Sequence, residues 1–390
     1  MEILFWLGIA ILFYCYLGYG LLLFARNRAK TAFFSLKPEK NAKEPPAVTL
    51  IVAAYNEEAI LSQKIKNCYE IDYPAHLFKV IFVTDGSTDY SQEVVREHDF
   101  ITLLHQRERR GKLAALKRAM QYVNTPIVVF SDANSMLNPG CIKAMIPHFA
   151  DKEVGGVAGE KKVFKNNCSL IGEAEGLYWK YESFMKQQDA DFNTVVGAVG
   201  ELFAIRTELF HPLDEELILD DFVFSIHICL GGYKVEYEPN AFASETPSLS
   251  LADEEKRRVR IAAGAYQAIH YLKGHLNIFQ HPWLCFQYFS GRLLRWVVCP
   301  VLIVLVLITN VALVIAQQGY IFYYLLIAQG IFYLLALTGR IFIGIHRRIG
   351  ILGVPFYFVF MNLCLVKGFF NYARGKQTSL WERSMREAFE

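Results

Sequence analysis

A doubly wound α/β domain held between membrane segments is the architecture this sequence predicts, and three observations predict it. The 390 residues are 53% hydrophobic and 20% charged, with a mean hydropathy of +0.23, too apolar for an ordinary soluble enzyme of this size. The apolar excess is concentrated in four stretches, each near the ~20 residues that cross the hydrocarbon of a bilayer. Between the first stretch and the rest lies a charged region of roughly 250 residues, long enough to bury its own core, in which apolar runs alternate with helical patterns.

The first stretch, residues 1–25, opens with Met1 and Glu2 and has no basic n-region or small-residue cleavage site, so it reads as an uncleaved anchor. In the juxtamembrane linker, residues 26–46, Arg26, Arg28, Lys30, Lys37, Lys40 and Lys43 outweigh Glu39 and Glu44. By the positive-inside rule this places the following domain, residues 47–279, in the cytoplasm and the amino terminus outside.

Within that domain VTLIVAA at 48–54 is a continuous apolar run, the form of a parallel strand covered on both faces. A helix over 57–70, a strand over Lys79–Thr84, ITLLHQ at 101–106, a helix over 112–122 and PIVVFSD at 126–132 continue the alternation that calls for a doubly wound sheet. Ligands in such sheets bind at the carboxyl ends of the strands, where the polar residues here fall. No GxGxxG or P-loop follows the first strand, so a dinucleotide or P-loop site is not indicated.

Strand ends carry carboxylates instead. Asp85, in the turn Asp85-Gly86-Ser87-Thr88-Asp89, could accept hydrogen bonds from a nucleobase edge or act as a turn cap. Asp132 and Asn134 offer two oxygen ligands suited to Mg²⁺ or Mn²⁺ bridging a diphosphate. Arg109, Arg110 and Lys112 open a helix whose first-turn amides could face an anion, or they form a solvated charge run; Lys112 is the better candidate. Gly197 and Gly200 could let backbone approach a ligand or serve a turn. Asp220 and Asp221 begin an apolar helix, both as partners of its dipole and as candidates for general-base work. KVEYEP at 234–239 is a short strand, and the helix opened by Glu254 carries Arg257, Arg258 and Arg260, placed either for a leaving diphosphate or for anionic headgroups.

Residues 280–294 read as an interfacial amphipathic helix. Three apolar segments over 295–371 and a polar tail, 372–390, follow. Four full crossings leave the tail outside; a re-entrant segment around Asn362 and Lys367 returns it to the cytoplasm. The eight cysteines form no CxxC and imply neither disulfides nor a zinc cluster. A net charge of +2 without an arginine-rich stripe excludes a general nucleic-acid binder.

Taken in order, IVAAYNEEAI, IFVTDGSTD, RRGKLAALKRA, FSDANSML, VVGAVGELFAIR, ILDDFVFSIHICLGGYKVEYEP and RRVRIAAGAYQAI resemble the membrane-bound inverting glycosyltransferases of family 2, over nearly the whole chain. That family includes the synthases of cellulose, chitin and hyaluronan. The resemblance implies a GT-A-type nucleotide-sugar-binding domain with a mostly parallel sheet flanked by transmembrane helices, in a multi-pass protein of a bacterial inner membrane. It implies transfer from a UDP- or GDP-sugar, with Mg²⁺ or Mn²⁺, to a lipid-linked or glycan acceptor, alongside polysaccharide export partners.

By the same resemblance Ala54, Glu57, Asp85, Lys112, Asp132 and Arg257 serve the donor, Asp132 and Asn134 the metal, and Gly197, Gly200 and Glu201 the acceptor. Asp221 is the implied base, with Asp220 beside it and Arg260 on the leaving group. The chain departs from the family's DxD at Asn134 and from its QxxRW at Arg257 and Ile261. Those departures and the small number of apolar segments favour single or limited sugar transfer over a secreting polymer synthase. A catalytically silent scaffold is the alternative from another class.

Overall fold

The computed structural model describes residues 1–33, 44–163, 170–344, 350–376 and 378–380. Lys37, Glu39, Lys40 and Lys43 of the linker, Cys168, the Arg347-Arg348 loop and the tail from Trp381 onward lie outside the described residues. The chain begins with α1 (Glu2–Phe13), a widened π-helical turn and α2 (Tyr19–Phe33), so the expected 1–25 anchor is part of a longer continuous helix.

The predicted alternation follows. It comprises β1 (Val48–Ala54), α3 (Glu58–Tyr69), β2 (Phe78–Asp85), α4 (Ser91–Arg96), β3 (Ile101–Gln106), α5 (Lys112–Met120) and β4 (Ile127–Asp132). All of β1 is buried. Ile51 and Ala53 point into a core shared with Leu113 and Leu116 of α5, while Leu50 and Val52 point into one shared with Leu61 and Ile65 of α3. This two-sided burial is what its unbroken apolar run prescribes.

The second half completes the sheet with β5 (Met136–Leu137), α6 (Cys141–Met145), β6 (Val154–Val163), α7 (Leu170–Phe192), β7 (Phe203–Arg206), α8 (Asp220–Leu230) and β8 (Lys234–Glu245). The described strands form one mixed sheet in the order β3-β2-β1-β4-β7-β6-β8-β5. The first four pair in parallel, and β7 is antiparallel to both β4 and β6. Register aligns Ala53 with Asp132 and Ala54 with Thr84, which brings the carboxyl ends of β1, β2 and β4 to one edge. The short strand expected at 234–239 is longer than its sequence suggested. After a register shift at Gly159/Glu160, residues 242–245 of β8 pair with 160–163 of β6, and Ala243 and Ser244 also pair with β5.

Next comes α9 (Leu251–Leu272), capped by Ser250 Oγ, which accepts from Asp253 N. It is followed by α10 (Pro282–Tyr288), a π-helical stretch over Phe289–Val298, α11 (Cys299–Ile315), α12 (Tyr320–Gly344) and α13 (Gly353–Ala373). Among the described residues four helices are long and apolar enough to cross a membrane: Glu2–Lys30, Pro282–Ile315, Tyr320–Ile343 and Gly353–Ala373.

Two sequence expectations are corrected here. The interfacial helix at 280–294 is not separate, because helix continues from Pro282 to Ile315. Its arginines face protein rather than headgroups: Arg292 and Arg295 both bind the buried Glu182 of α7, at 2.8 and 2.7 Å. Burial alone would raise the Glu182 carboxyl, but Arg295 and Arg292 hold it down at about 2.

The last apolar helix, α13, does not lead away from the domain. Its Tyr357 hydroxyl meets Arg258 and Glu254 of α9, its Lys367 pairs with Glu255, and Phe369 and Tyr372 pack on Tyr266. A Cβ on Gly368 would collide with Ala262 and sit 2.8 Å from Ala263 N, so the two helices touch backbone to backbone. The stretch from Tyr357 to Tyr372 thus lies along one domain helix, and Ser379 beyond it meets Arg260 of that helix. Four full crossings with the tail on the far side do not fit these contacts.

Candidate active site

The carboxyl ends of β1 and β4, the start of α5, the turn before β7, the start of α8 and one face of α9 enclose a cavity of about 1240 Å³. Ala53, Glu57, Lys112, Asp132, Asn134, Gly200, Glu201, Asp220, Asp221, Arg257 and Arg260 all line it. Residues far apart in sequence are therefore brought to one wall by the strand register and by the two helix starts.

At its centre Lys112 Nζ lies 2.5 Å from Asp132 Oδ1. Burial pulls the Lys112 ammonium down, but Asp132, Asp220 and Asp221 outweigh it and hold it well above its ordinary value. Gly200 lies against this group: a Cβ there would be 3.0 Å from Lys112 Nζ and 3.2 Å from Asp221 Oδ2. A side chain at 200 would intrude between the ammonium and the carboxylate.

Asp221 stands at the start of α8, where its Oδ1 accepts from Phe222 N at 2.8 Å. Burial raises its carboxyl first and the neighbouring Asp220 raises it further; Lys112 opposes both, and the group ends at about 7. A carboxyl poised there at neutral pH can take a proton and can hold it. On the same cavity lining, Arg260 donates through Nη2 to Ser379 O at 3.3 Å, and its buried Nε has no hydrogen-bond partner among the described residues. Its guanidinium supplies positive charge to the cavity lining, where an anion could meet it.

Four expected site residues sit differently from the rest. Ala54 is buried in the core beneath the edge, and Ala53 lines the cavity instead. Asp85 is fully buried, accepting from Arg110 N at 3.1 Å and Gly111 N at 2.6 Å, so its carboxylate holds the loop that leads into Lys112. Gly197 lies outside the cavity lining and supplies the turn, with φ +92 and the Phe222 ring against the place a Cβ would take. Arg257 lines the cavity with its guanidinium bound to Glu254 at 2.9 Å.

The sequence reading missed a buried chain of charges behind Asp132 and Asn134. Lys64, fully buried, donates to Ser131 Oγ at 2.9 Å and to Ser135 O; Ser135 Oγ donates to Glu245 Oε1 at 3.0 Å; Lys161 bridges Glu245 and Glu201. Burial opposes ionisation of Glu201, but Lys161 outweighs it and holds the carboxyl below its ordinary value. For Lys64 a signal was present, since it shares the buried stripe of α3 with Leu61, Ile65 and Cys68.

For a metal, Asp132 and Asn134 supply oxygen atoms on the cavity wall, a donor set suited to Mg²⁺ or Mn²⁺. Among the described residues no three His, Cys, Asp or Glu side chains form a metal-binding group. The site therefore fits an ion shared with substrate oxygens better than one caged by protein.

Comparison with known proteins agrees with this geometry. Residues 49–213 match the family described as Glycosyl transferase family 2. The poly-β-1,6-N-acetyl-D-glucosamine synthases of Staphylococcus aureus (strain COL) and Staphylococcus epidermidis are 26% identical over 246 residues and 23% identical over 249, covering 60% of this chain and 58% of theirs. The matched region thus spans little more than half the length of those relatives. A mannosyltransferase from Pyrobaculum calidifontis, solved with GDP-Man and Mn²⁺, shares the fold with a TM-score of 0.71 at 22% identity, over 96% of this chain and all (100%) of that one. The sheet and its carboxylate-lined edge define a GT-A-type glycosyltransferase domain. Within that domain residues 49–213, less than half of the chain, carry the match to glycosyltransferase family 2.

Proposed function

We propose that this protein transfers a sugar from a nucleoside-diphosphate sugar to a hydroxyl of a membrane-held acceptor, with inversion at the anomeric carbon. The observation that carries this reading is that Asp221, with its carboxyl raised to about 7, and the guanidinium of Arg260 line one cavity. Asp221 takes the proton of the acceptor hydroxyl while that oxygen forms its bond to the anomeric carbon. The bond from that carbon to the diphosphate oxygen breaks on the other side, and the nucleoside diphosphate leaves with the electron pair. A single in-line displacement inverts configuration and needs no enzymic nucleophile.

The chain's cations serve the leaving side. Arg260 offers its guanidinium charge to the departing diphosphate, and Lys112, beside Asp132 and near Asp221, adds a second positive charge. Asp132 and Asn134 would hold Mg²⁺ or Mn²⁺, which when bound neutralises charge on the diphosphate. Asp85 contributes by fixing the Arg110-Gly111 loop from which Lys112 projects.

Single or limited transfer in a bacterial inner membrane, with the catalytic domain cytoplasmic, is the reading favoured by Arg257 and Ile261 in place of the family's Gln and Trp. The polymer-making relatives favour a second reading, processive synthesis of an N-acetylhexosamine polymer. Both are tested by presenting UDP-glucose, UDP-N-acetylhexosamines and GDP-mannose, each labelled in the sugar, to the protein in native-lipid membranes with Mg²⁺ or Mn²⁺. Release of nucleoside diphosphate from one donor, with label in the lipid fraction and loss of both in Asp221→Asn, is expected. Label in a long polymer selects the second reading; no release from any donor overturns both.

A further inference from the structure

The cavity is too large and too unevenly charged for a donor alone. At about 1240 Å³ it exceeds the roughly 300–1,000 Å³ of a typical small-molecule site. Around Asp132 and Asp221 its wall is rich in carboxylates, with Lys112 among them, whereas on the side formed by α9, α13 and the turn beyond six cations, Lys256, Arg257, Arg260, Lys367, Arg374 and Lys376, outnumber Asp253 and Glu255. Several of these are engaged. Arg257 is on Glu254, Lys367 is on Glu255, and Arg260 reaches the Ser379 carbonyl.

Arg374 and Lys376 differ. Both are exposed, both line the cavity, and neither has a carboxylate partner among the described residues; Arg374 lies over the edge of the Phe370 ring at 5.9 Å. They flank Gly375, whose φ of +62 makes the turn that sends the chain from α13 back to Arg260. The helix they terminate exposes Leu363 and Val366, an apolar surface suited to lipid, and its Phe370 lines the cavity. The cationic end of the cavity therefore lies beside an apolar helix face, within reach of a lipid's anionic headgroup.

We infer that Arg374 and Lys376 bind the phosphate or diphosphate of a membrane lipid that carries the acceptor glycan, holding that lipid while its sugar hydroxyl reaches Asp221. This deepens the reading above and rests on it. The phosphate meets cations at the membrane end and the uncharged sugar meets carboxylates inside, so an acceptor with its charge at the sugar end would face the wrong wall. Headgroup phosphate, not a free anion, is the occupant, because the site opens beside the lipid-facing surface of α13.

The test uses the full chain in phosphatidylcholine nanodiscs and calorimetric titration with farnesyl diphosphate, farnesol, inorganic pyrophosphate, UDP and GDP. Wild type is expected to bind farnesyl diphosphate at least about tenfold more tightly than pyrophosphate, and to bind farnesol no more than empty discs do. In Arg374→Gln/Lys376→Gln, two exposed substitutions that leave the core intact, farnesyl diphosphate affinity is expected to fall about tenfold or more while affinity for UDP or GDP stays within about twofold. Equal binding of pyrophosphate and farnesyl diphosphate overturns the inference in favour of a free-anion site. So does a parallel loss of nucleotide affinity, which would assign both cations to the donor, and so does a variant that binds farnesyl diphosphate as wild type does. Wild type that takes farnesyl diphosphate but neither nucleotide would instead remove the donor reading and leave the lipid-phosphate site standing.

Discussion

In the role proposed for it Asp221 takes a proton only when ionised, and its carboxyl is raised to about 7, first by burial and then by Asp220. The sign follows directly: protonation below that value removes the base, so kcat should fall about tenfold per pH unit on the acid side of neutrality. Replacing Asp220 with Asn removes a repelling charge, so the acid limb should move to lower pH; a limb that stays in place would assign the shift to burial alone. Asp221→Asn should lower kcat by about 10²-fold or more with little change in donor KM, measured by nucleoside-diphosphate release. Gly200→Ala places a methyl 3.0 Å from Lys112 Nζ and 3.2 Å from Asp221 Oδ2, and should cut kcat about tenfold without unfolding the protein. Asp132, Asp220, Asp221 and Lys112 could be placed on the cavity from sequence because strand ends and helix starts are where such a sheet presents its ligand edge, whereas Arg260 reaches the cavity from the middle of α9. Asp85 was legible as a position but not as a role, since either a base contact or a loop anchor suits a carboxylate after a strand. The Lys64–Glu245–Lys161–Glu201 chain was not legible, because its members come from α3, β8, β6 and a turn, and only tertiary packing brings them together.

Among the elements, β1 to β4 could be read from periodicity, whereas the long β8 could not: its last residues are held by pairing with β6 beyond a bulge rather than by a pattern of their own. The same holds for the helix running from Pro282 to Ile315, whose amphipathic, aromatic-rich start looked interfacial and carries Arg292 and Arg295. They face Glu182, and that buried group supports a prediction. Glu182→Gln leaves Arg292 and Arg295 without their carboxylate and should destabilise the domain by about 3–5 kcal/mol, read as a lower denaturation temperature in detergent. Because the Glu182 carboxyl is depressed to about 2, its contribution is present above the ordinary carboxyl range and is lost as pH falls toward 2. For α9 and α13, Gly368→Leu should cost about 1–3 kcal/mol by forcing apart two helices in backbone contact. Gly368→Ser would be milder, and no effect from Leu would contradict the close packing.

Across the whole molecule, α13 determines where the chain ends. Since it runs along α9 and the following residues reach Arg260, a cysteine at Lys376 should react from the same side of a membrane as one at Glu215, and a cysteine at Gln318 from the opposite side. Labelling of Lys376→Cys from the side of Gln318 would restore four full crossings. The proposed arrangement joins a donor site at the sheet edge to an entry at the membrane surface, and the chemistry proposed between them is a single displacement. Its most direct test is the anomeric configuration of the product, read by NMR from transfer of an α-linked nucleotide sugar by the purified enzyme in nanodiscs. A β-linked product formed by wild type and absent with Asp221→Asn is the predicted result. An α-linked product would contradict the displacement and the role assigned to Asp221.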